Sequence, residues 1–289
     1  MKLLTYECGG KEAVGVLDVK GEMIIPVFAV GLNYSCMNDL IVRATENELD
    51  VLRSASQAPP ADVIPYAQVG KVSPIPEPRQ DVICIGRNYM AHINEMKGTD
   101  APSHAIYFSK RVNRAVPDGG EIDGHLHIDE QLDYEVELAV IIGKDARNVP
   151  ASRVEDYIFG YTIINDITSR RLQRDHKQFY FGKSIDTFTP MGPWIVTKDE
   201  FSFQPELNIK STVSGELRQN GNTREMIFNI PHIITELSSG ITLKAGTIIA
   251  TGSPSGVAIG FDPPRFLKPG DTVECEIEGI GRLSNNIKK

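Results

Sequence analysis

Apolar positions along this chain are mostly β-branched or aromatic and lie close together. They form short runs closed by glycine, proline, asparagine or aspartate, which is the pattern of buried strands. Such runs are Ala13–Val19 and Met23–Val27 and, from Asp81 onward, DVICIG, AIYFSK, YEVELAVIIG, YIFGYTIIND, MGPWIVT, ELNIKSTVSG, TIIATGS and DTVECEIEGIG. Helical stretches are few: the polar Met37–Ala55, Thr168–Lys177, and Asn229–Leu237 with Asn229 as its N-cap and Pro231 in the first turn. A proline-dense connector, QAPPADVIPYAQVGKVSPIPEPRQD, lacks ladder donors and fixes φ, so it reads as extended chain. The pattern predicts a β-rich α+β protein, with a small N-terminal α+β domain over residues 1–70 and a larger domain over residues 71–289, built as a sandwich, roll or partly closed barrel.

Composition narrows the function. Of 289 residues, 38 are acidic and 30 basic, a formal net charge of −8, which disfavours a generic nucleic-acid or anionic-membrane surface. No apolar stretch approaches the ~20 residues of a membrane span. The start, MKLLTYECGGKE, turns polar too soon for a secretory leader. Cys8, Cys36, Cys84 and Cys275 stand singly, as reduced thiols do in a cytoplasmic protein.

Five segments carry chemistry. In LDYEVELAVIIG, strand alternation puts Asp133, Glu135 and Glu137 on one face. Near a core these carboxylates repel unless a cation lies between them, and hard oxygen ligands suit Mg2+ or Mn2+, with Ca2+ a further candidate; the plain alternative is a solvated strand face. In YTIINDITSRRLQRD, Asp166 is either a helix N-cap or a further carboxylate, and Arg170 and Gln173 share a helix face that could meet an anion or only water. In IGRNYMAHINEM, His92 and Glu95 are spaced i, i+3, so the carboxylate could orient the imidazole; a surface ion pair is the alternative. FYFGKSIDTFTPMGP lacks the first glycine of a P-loop, which leaves Lys183 as a lysine that could face a pocket. IIATGSPSGVAIG could cradle a carboxylate with its amides or be a tight turn. His125 and His127 lack a third ligand signal, and Gly279-Ile280-Gly281 lacks a dinucleotide setting.

Together and in this order, GRNYMAHINEM, LDYEVELAVIIGKD, FGYTIINDITSRRLQ, FGKSIDTFTPMGP, GELRQNGNTREMIF and IIATGSPSGV resemble the fumarylacetoacetate hydrolase family from about Asp81 to Asn286. The resemblance implies that family's mixed β-sandwich roll, usually as a homodimer. It implies metal ligation by Glu135, Glu137 and Asp166, catalysis by His92, Glu95 and Lys183, and substrate contacts from Arg170, Gln173 and Thr251. Arg171 stands where relatives often carry Asp, Ala105 where many have Pro, and Ser253 where many have Thr, which bears on substrate more than on chemistry.

The expected reaction is divalent-metal-dependent and acts on a small 2-oxo or 2,4-dioxo acid through a pyruvate-enolate-like intermediate. Hydrolysis of the C–C bond of an acylpyruvate is the first expectation. Decarboxylation of oxaloacetate and isomerisation of a 2-hydroxydienoate are alternatives at the same site. Outside enzymology the alternatives are an inactive metal-dependent 2-oxo acid binder and a structural β-domain with a solvated acidic strand.

Overall fold

Strands form at the short apolar runs, and the computed structural model, which describes residues 1–95 and 100–288, shows what they pair with. Among the described residues an eleven-stranded sheet has Val136–Ile142 and Ile158–Asn165 at its centre. It runs one way through Met191–Thr197 and Lys2–Cys8 to the N-terminal hairpins, and the other way through Ile248–Ala250 and Val82–Gly86 to Ile106–Lys110. A five-stranded sheet (Glu216–Asn222, Asn208–Val213, Thr272–Ile277, Gly281–Ile287, Glu121–Ile122) packs across it. The β-rich α+β class read from the sequence is the class observed.

Strand Val136–Ile142 is buried on both faces. Val136, Leu138, Val140 and Ile142 enter the core shared with Ile209, Val273 and Leu283 of the second sheet. Ala139 and Ile141, of opposite parity, enter a second core with Met37, Leu40 and Leu52 of the N-terminal helices. Residues 1–70 and the rest therefore share a sheet and a core: Leu3 pairs with Ile195 across the ladder between Lys2–Cys8 and Met191–Thr197.

Three local readings change. The helical stretch Met37–Ala55 is two helices, Met37–Arg43 and Glu46–Gln57, because Thr45 starts the second with a capping box. The Thr45 N–H donates to Glu48 Oε2 at 2.8 Å and the Glu48 N–H to Thr45 Oγ1 at 3.3 Å. The stretch Thr168–Lys177 opens as a short strand, Thr168–Ser169, and the helix spans only Arg170–Asp175. Asp166 is thus not its N-cap. The helix Ile230–Gly240 starts as expected, with Asn229 Oδ1 accepting the His232 N–H at 3.0 Å.

Candidate active site

The alternation that sends Ala139 and Ile141 into the core places Glu135 and Glu137 on the same face, where the strand emerges from it. Asp166 follows the neighbouring strand, whose Asn165 is in register with Val136. The Asp166 N–H donates to the Glu135 carbonyl at 2.8 Å and the Glu135 N–H to Asn165 Oδ1 at 3.1 Å, fixing the two carboxylates side by side. One oxygen from each of Glu135, Glu137 and Asp166 lies within 4.8 Å of the others, and all three side chains are buried.

Cations surround this trio unevenly. Lys183 Nζ donates to Glu135 Oε2 at 3.0 Å, to Thr168 Oγ1 at 2.9 Å and to Asp166 Oδ2. Lys110 Nζ donates to Asp166 Oδ1 at 2.5 Å and to the Ile167 carbonyl at 3.1 Å. Arg170 donates to Glu135 Oε1 at 2.6 Å, to Asp133 Oδ2 at 2.8 Å and to Gln173 Oε1 at 3.1 Å. Asp133 in turn accepts the Ala258 and Ile259 amides. Among the described residues Glu137 receives only the Gly252 N–H, at 2.9 Å.

The ionisation of these groups follows from that asymmetry. Burial would raise the Glu135 carboxyl, but Lys183 and Arg170 hold it well below the ordinary carboxylate range. Burial raises Glu137, and the neighbouring Asp166 and Glu135 carboxylates push it further up. Burial lowers the Lys110 ammonium, against the pull of Asp166. On Lys183 the carboxylates overcome burial and raise it.

The donor set fits a divalent cation. Four buried carboxylates (Asp133, Glu135, Glu137, Asp166) face three buried cations (Lys110, Arg170, Lys183), so among the described residues one carboxylate, Glu137, is left without an ion pair. It lies at the point where three hard oxygens converge.

His92 reaches the same place from the helix Met90–Glu95. Its Nδ1 bonds Glu95 Oε1 at 2.6 Å, and Glu95 Oε2 accepts the Gly256 N–H at 2.7 Å. Among the described residues Nε2 of this buried imidazole has no hydrogen-bond partner. Ser253, Gln173, Lys183, His92, Glu135 and Glu137 line one cavity of about 310 Å3.

Of the residues expected from the sequence, the structure brings eight together: His92, Glu95, Glu135, Glu137, Asp166, Arg170, Gln173 and Lys183. Thr251 stands apart. It is fully buried, its hydroxyl donates to the Leu138 carbonyl at 2.8 Å, and its own carbonyl accepts from Asn88 Nδ2. Lys110 was not anticipated; its sequence signal was a lysine closing the strand run AIYFSK. Asp133, read from the sequence as a third acid on the face of Glu135 and Glu137, is bonded to Arg170 instead. Arg171 is turned to Asp129, whose Oδ1 lies 3.3 Å from its Nε. His125 sits in a turn with φ 46°, not on a strand, and among the described residues only the acidic trio has metal-ligand geometry.

Residues 81–288 match the fumarylacetoacetate (FAA) hydrolase C-terminal family. The chain belongs to that family. As an enzyme of the fumarylacetoacetate hydrolase family it is 49% identical over 216 residues to the oxaloacetate tautomerase YisK of Bacillus subtilis, covering 74% of this chain and 72% of that one. The fumarylacetoacetate hydrolase of Exiguobacterium antarcticum superposes with a TM-score of 0.85 at 37% identity, covering 100% of this chain and 99% of that one. The maleylpyruvate hydrolase of Sphingobium superposes with a TM-score of 0.78 at 30% identity, covering 100% and 99%. Relatives of this kind act on oxo acids. No helix among the described residues is long and apolar enough to cross a membrane.

Proposed function

We propose that this enzyme interconverts the enol and keto forms of a short 2-oxo dicarboxylic acid of the oxaloacetate type, with Glu135, Glu137 and Asp166 holding Mg2+ or Mn2+. The observation that carries this reading is that Glu135 and Glu137, of the incompletely neutralised carboxylate trio, line one cavity with His92, whose buried imidazole is held by Glu95. The name of the 49% identical relative supports it. So does the cavity's size, at the small end of ligand sites.

A bound divalent cation supplies Lewis acidity for the negative charge that develops on the 2-oxo oxygen. The chain's own groups do the rest. In the keto-to-enol direction His92 Nε2 takes a proton from C3, C2 and C3 become doubly bonded, and the 2-oxo oxygen takes the electron pair and then a proton. Glu95 fixes the tautomer of His92 by engaging Nδ1 and stabilises the imidazolium that forms. Lys183 keeps its positive charge at the cavity wall, where it offsets the enolate. Arg170 and Lys110 hold the carboxylates in place.

The second reading is C–C hydrolysis of an acylpyruvate, favoured by the same His92–Glu95 pair. There His92 deprotonates a water that attacks the 4-carbonyl, and the C3–C4 bond breaks to give a carboxylic acid and a pyruvate enolate. Loss of CO2 from oxaloacetate needs no such base, so the His92–Glu95 pair argues against decarboxylation as the main role. The cytoplasmic setting is part of this reading, supported by four free cysteines, and so is the homodimer expected from the family resemblance.

The test follows loss of the oxaloacetate enol absorbance, and separately acetylpyruvate cleavage, with Mg2+, Mn2+ or a chelator. Metal-dependent acceleration of ketonisation is the expected result. Cleavage without tautomerisation selects the second reading; binding without either makes the chain an inactive binder.

A further inference from the structure

The charged residues on the cavity wall are nearly all occupied by one another. His92 is held by Glu95, Lys183 by Asp166 and Glu135, and Glu137 by the Gly252 amide. Arg170, which the family resemblance assigns to substrate, already has Nε, Nη1 and Nη2 bonded to Asp133, Gln173 and Glu135. Arg174 is largely exposed and lies 3.3 Å from its neighbour Asp175. Among the described residues Arg87 is the one charged group lining this cavity with neither a hydrogen bond nor an ion pair of its side chain.

The backbone at Arg87 is built to hold it there. Its φ is 56°, the left-handed region that a side chain makes unfavourable, between strand Val82–Gly86 and the helix that carries His92. Glycine would sit there without strain, so an arginine requires the surrounding chain to impose the conformation. Asn88 imposes it. Fully buried, it donates from Nδ2 to the Phe228 and Thr251 carbonyls at 2.9 and 2.8 Å and accepts the Phe228 N–H at 2.7 Å. Its own carbonyl accepts the Ile227 N–H at 2.8 Å. Four hydrogen bonds therefore pin the corner to the segment before helix Ile230–Gly240 and to the turn after strand Ile248–Ala250.

A half-buried guanidinium without a counter-ion, on a pinned corner of a small cavity, is suited to a carboxylate, which it can meet with two parallel N–H bonds. We propose that Arg87 reads the distal carboxylate of the substrate, so that the cavity selects 2-oxo dicarboxylic acids over 2-oxo monocarboxylic acids of the same chain length. This rests on the cavity being a 2-oxo acid site, and it gives that site a selectivity the metal ligands cannot supply. The carboxylate trio and any cation it holds act at the 2-oxo end, which both classes of acid share.

The test compares oxaloacetate with its 4-methyl ester, which keeps the 2-oxo end and masks the distal charge. Both are assayed for ketonisation and for calorimetric binding to the Mg2+-loaded protein, in wild type, Arg87→Gln, Arg87→Lys and Arg174→Gln. Arg87→Gln is expected to raise KM and Kd for oxaloacetate about 10- to 100-fold, the loss of one charge-assisted pair, with kcat and every ester parameter within about twofold. Arg87→Lys should restore part of the preference, and Arg174→Gln should leave it in place. Equal losses on both compounds in Arg87→Gln, or a split that follows Arg174 instead, overturn the assignment while the proposed activity stands. An Arg87-dependent preference in binding without turnover of either compound overturns the activity and leaves the assignment standing. If wild type binds neither compound, both fall.

Discussion

Glu135 and Glu137 stand two residues apart on one face and differ in every partner: Glu135 is gripped by Lys183 and Arg170, whereas Glu137 receives a single backbone N–H. The first is held ionised, and the second is pushed toward its protonated form by burial and then by its acidic neighbours. A divalent cation at the trio would relieve that repulsion. Mg2+ or Mn2+ at a hundredfold excess over Kd should therefore stabilise the fold by about 2.7 kcal/mol. Glu137→Gln should lose this response and, without metal, melt no lower than wild type. Calorimetric melting with and without metal reads both, and a Glu137→Gln variant that still responds to metal refutes Glu137 as a ligand.

His92→Ala should lower kcat by about 10²- to 10⁴-fold, the usual contribution of a positioned base. Stabilisation by metal should persist, because His92 is not one of the converging oxygens. Steady-state kinetics beside a melting curve separates the two effects.

Gly260 leaves room for Glu95. A Cβ at residue 260 would lie 2.6 Å from Glu95 Oε2 and 2.7 Å from its Cδ, with no other atom as close, and Gly260 is not among the residues with positive φ. Gly260→Ala should thus displace the carboxylate from His92 without straining the loop. A fall in kcat of about 10- to 100-fold is expected from a misplaced base, with the metal response intact. Unchanged kcat would mean that Glu95 does not position His92.

Asp129 anchors the helix that presents Arg170 and Gln173. Burial opposes its ionisation, but the Ser169 hydroxyl, the Gln131 and Arg171 amides and the Arg171 side chain outweigh burial and hold it below the usual aspartate value of 3.8. Its folded pKa is lowered, so the stability it contributes is present above pH 3.8 and is lost as pH falls through the lower folded value. Asp129→Asn should cost about 1.5–3 kcal/mol at neutral pH, and the gap should close below that window. Denaturant melts across pH check it; a gap that does not narrow in acid would assign the effect to packing.

The site was legible where its logic is local. Alternation gives Glu135 and Glu137 a common face, an i, i+3 spacing gives the His92–Glu95 pair, and a strand end gives Asp166. It was illegible where the logic is long-range. Lys110 meets Asp166 across 56 residues of sequence, and no spacing announces that. Strand Glu216–Asn222, ELRQNGN, has little apolar content and is a strand because Asn208–Val213 supplies its ladder. The split at Thr45 had a readable signal, the Thr45–Glu48 capping box, overridden by the continuous polar pattern around it.

Because Lys2 and Leu3 pair with Val196 and Ile195 near the end of strand Met191–Thr197, removing residues 1–70 would do more than delete a neighbour. It would uncover one side of that apolar strand's end and present bare amides and carbonyls to any other chain in solution. A truncated enzyme would carry every residue of its reaction centre and still tend to precipitate, for want of the segment that keeps its backbone covered.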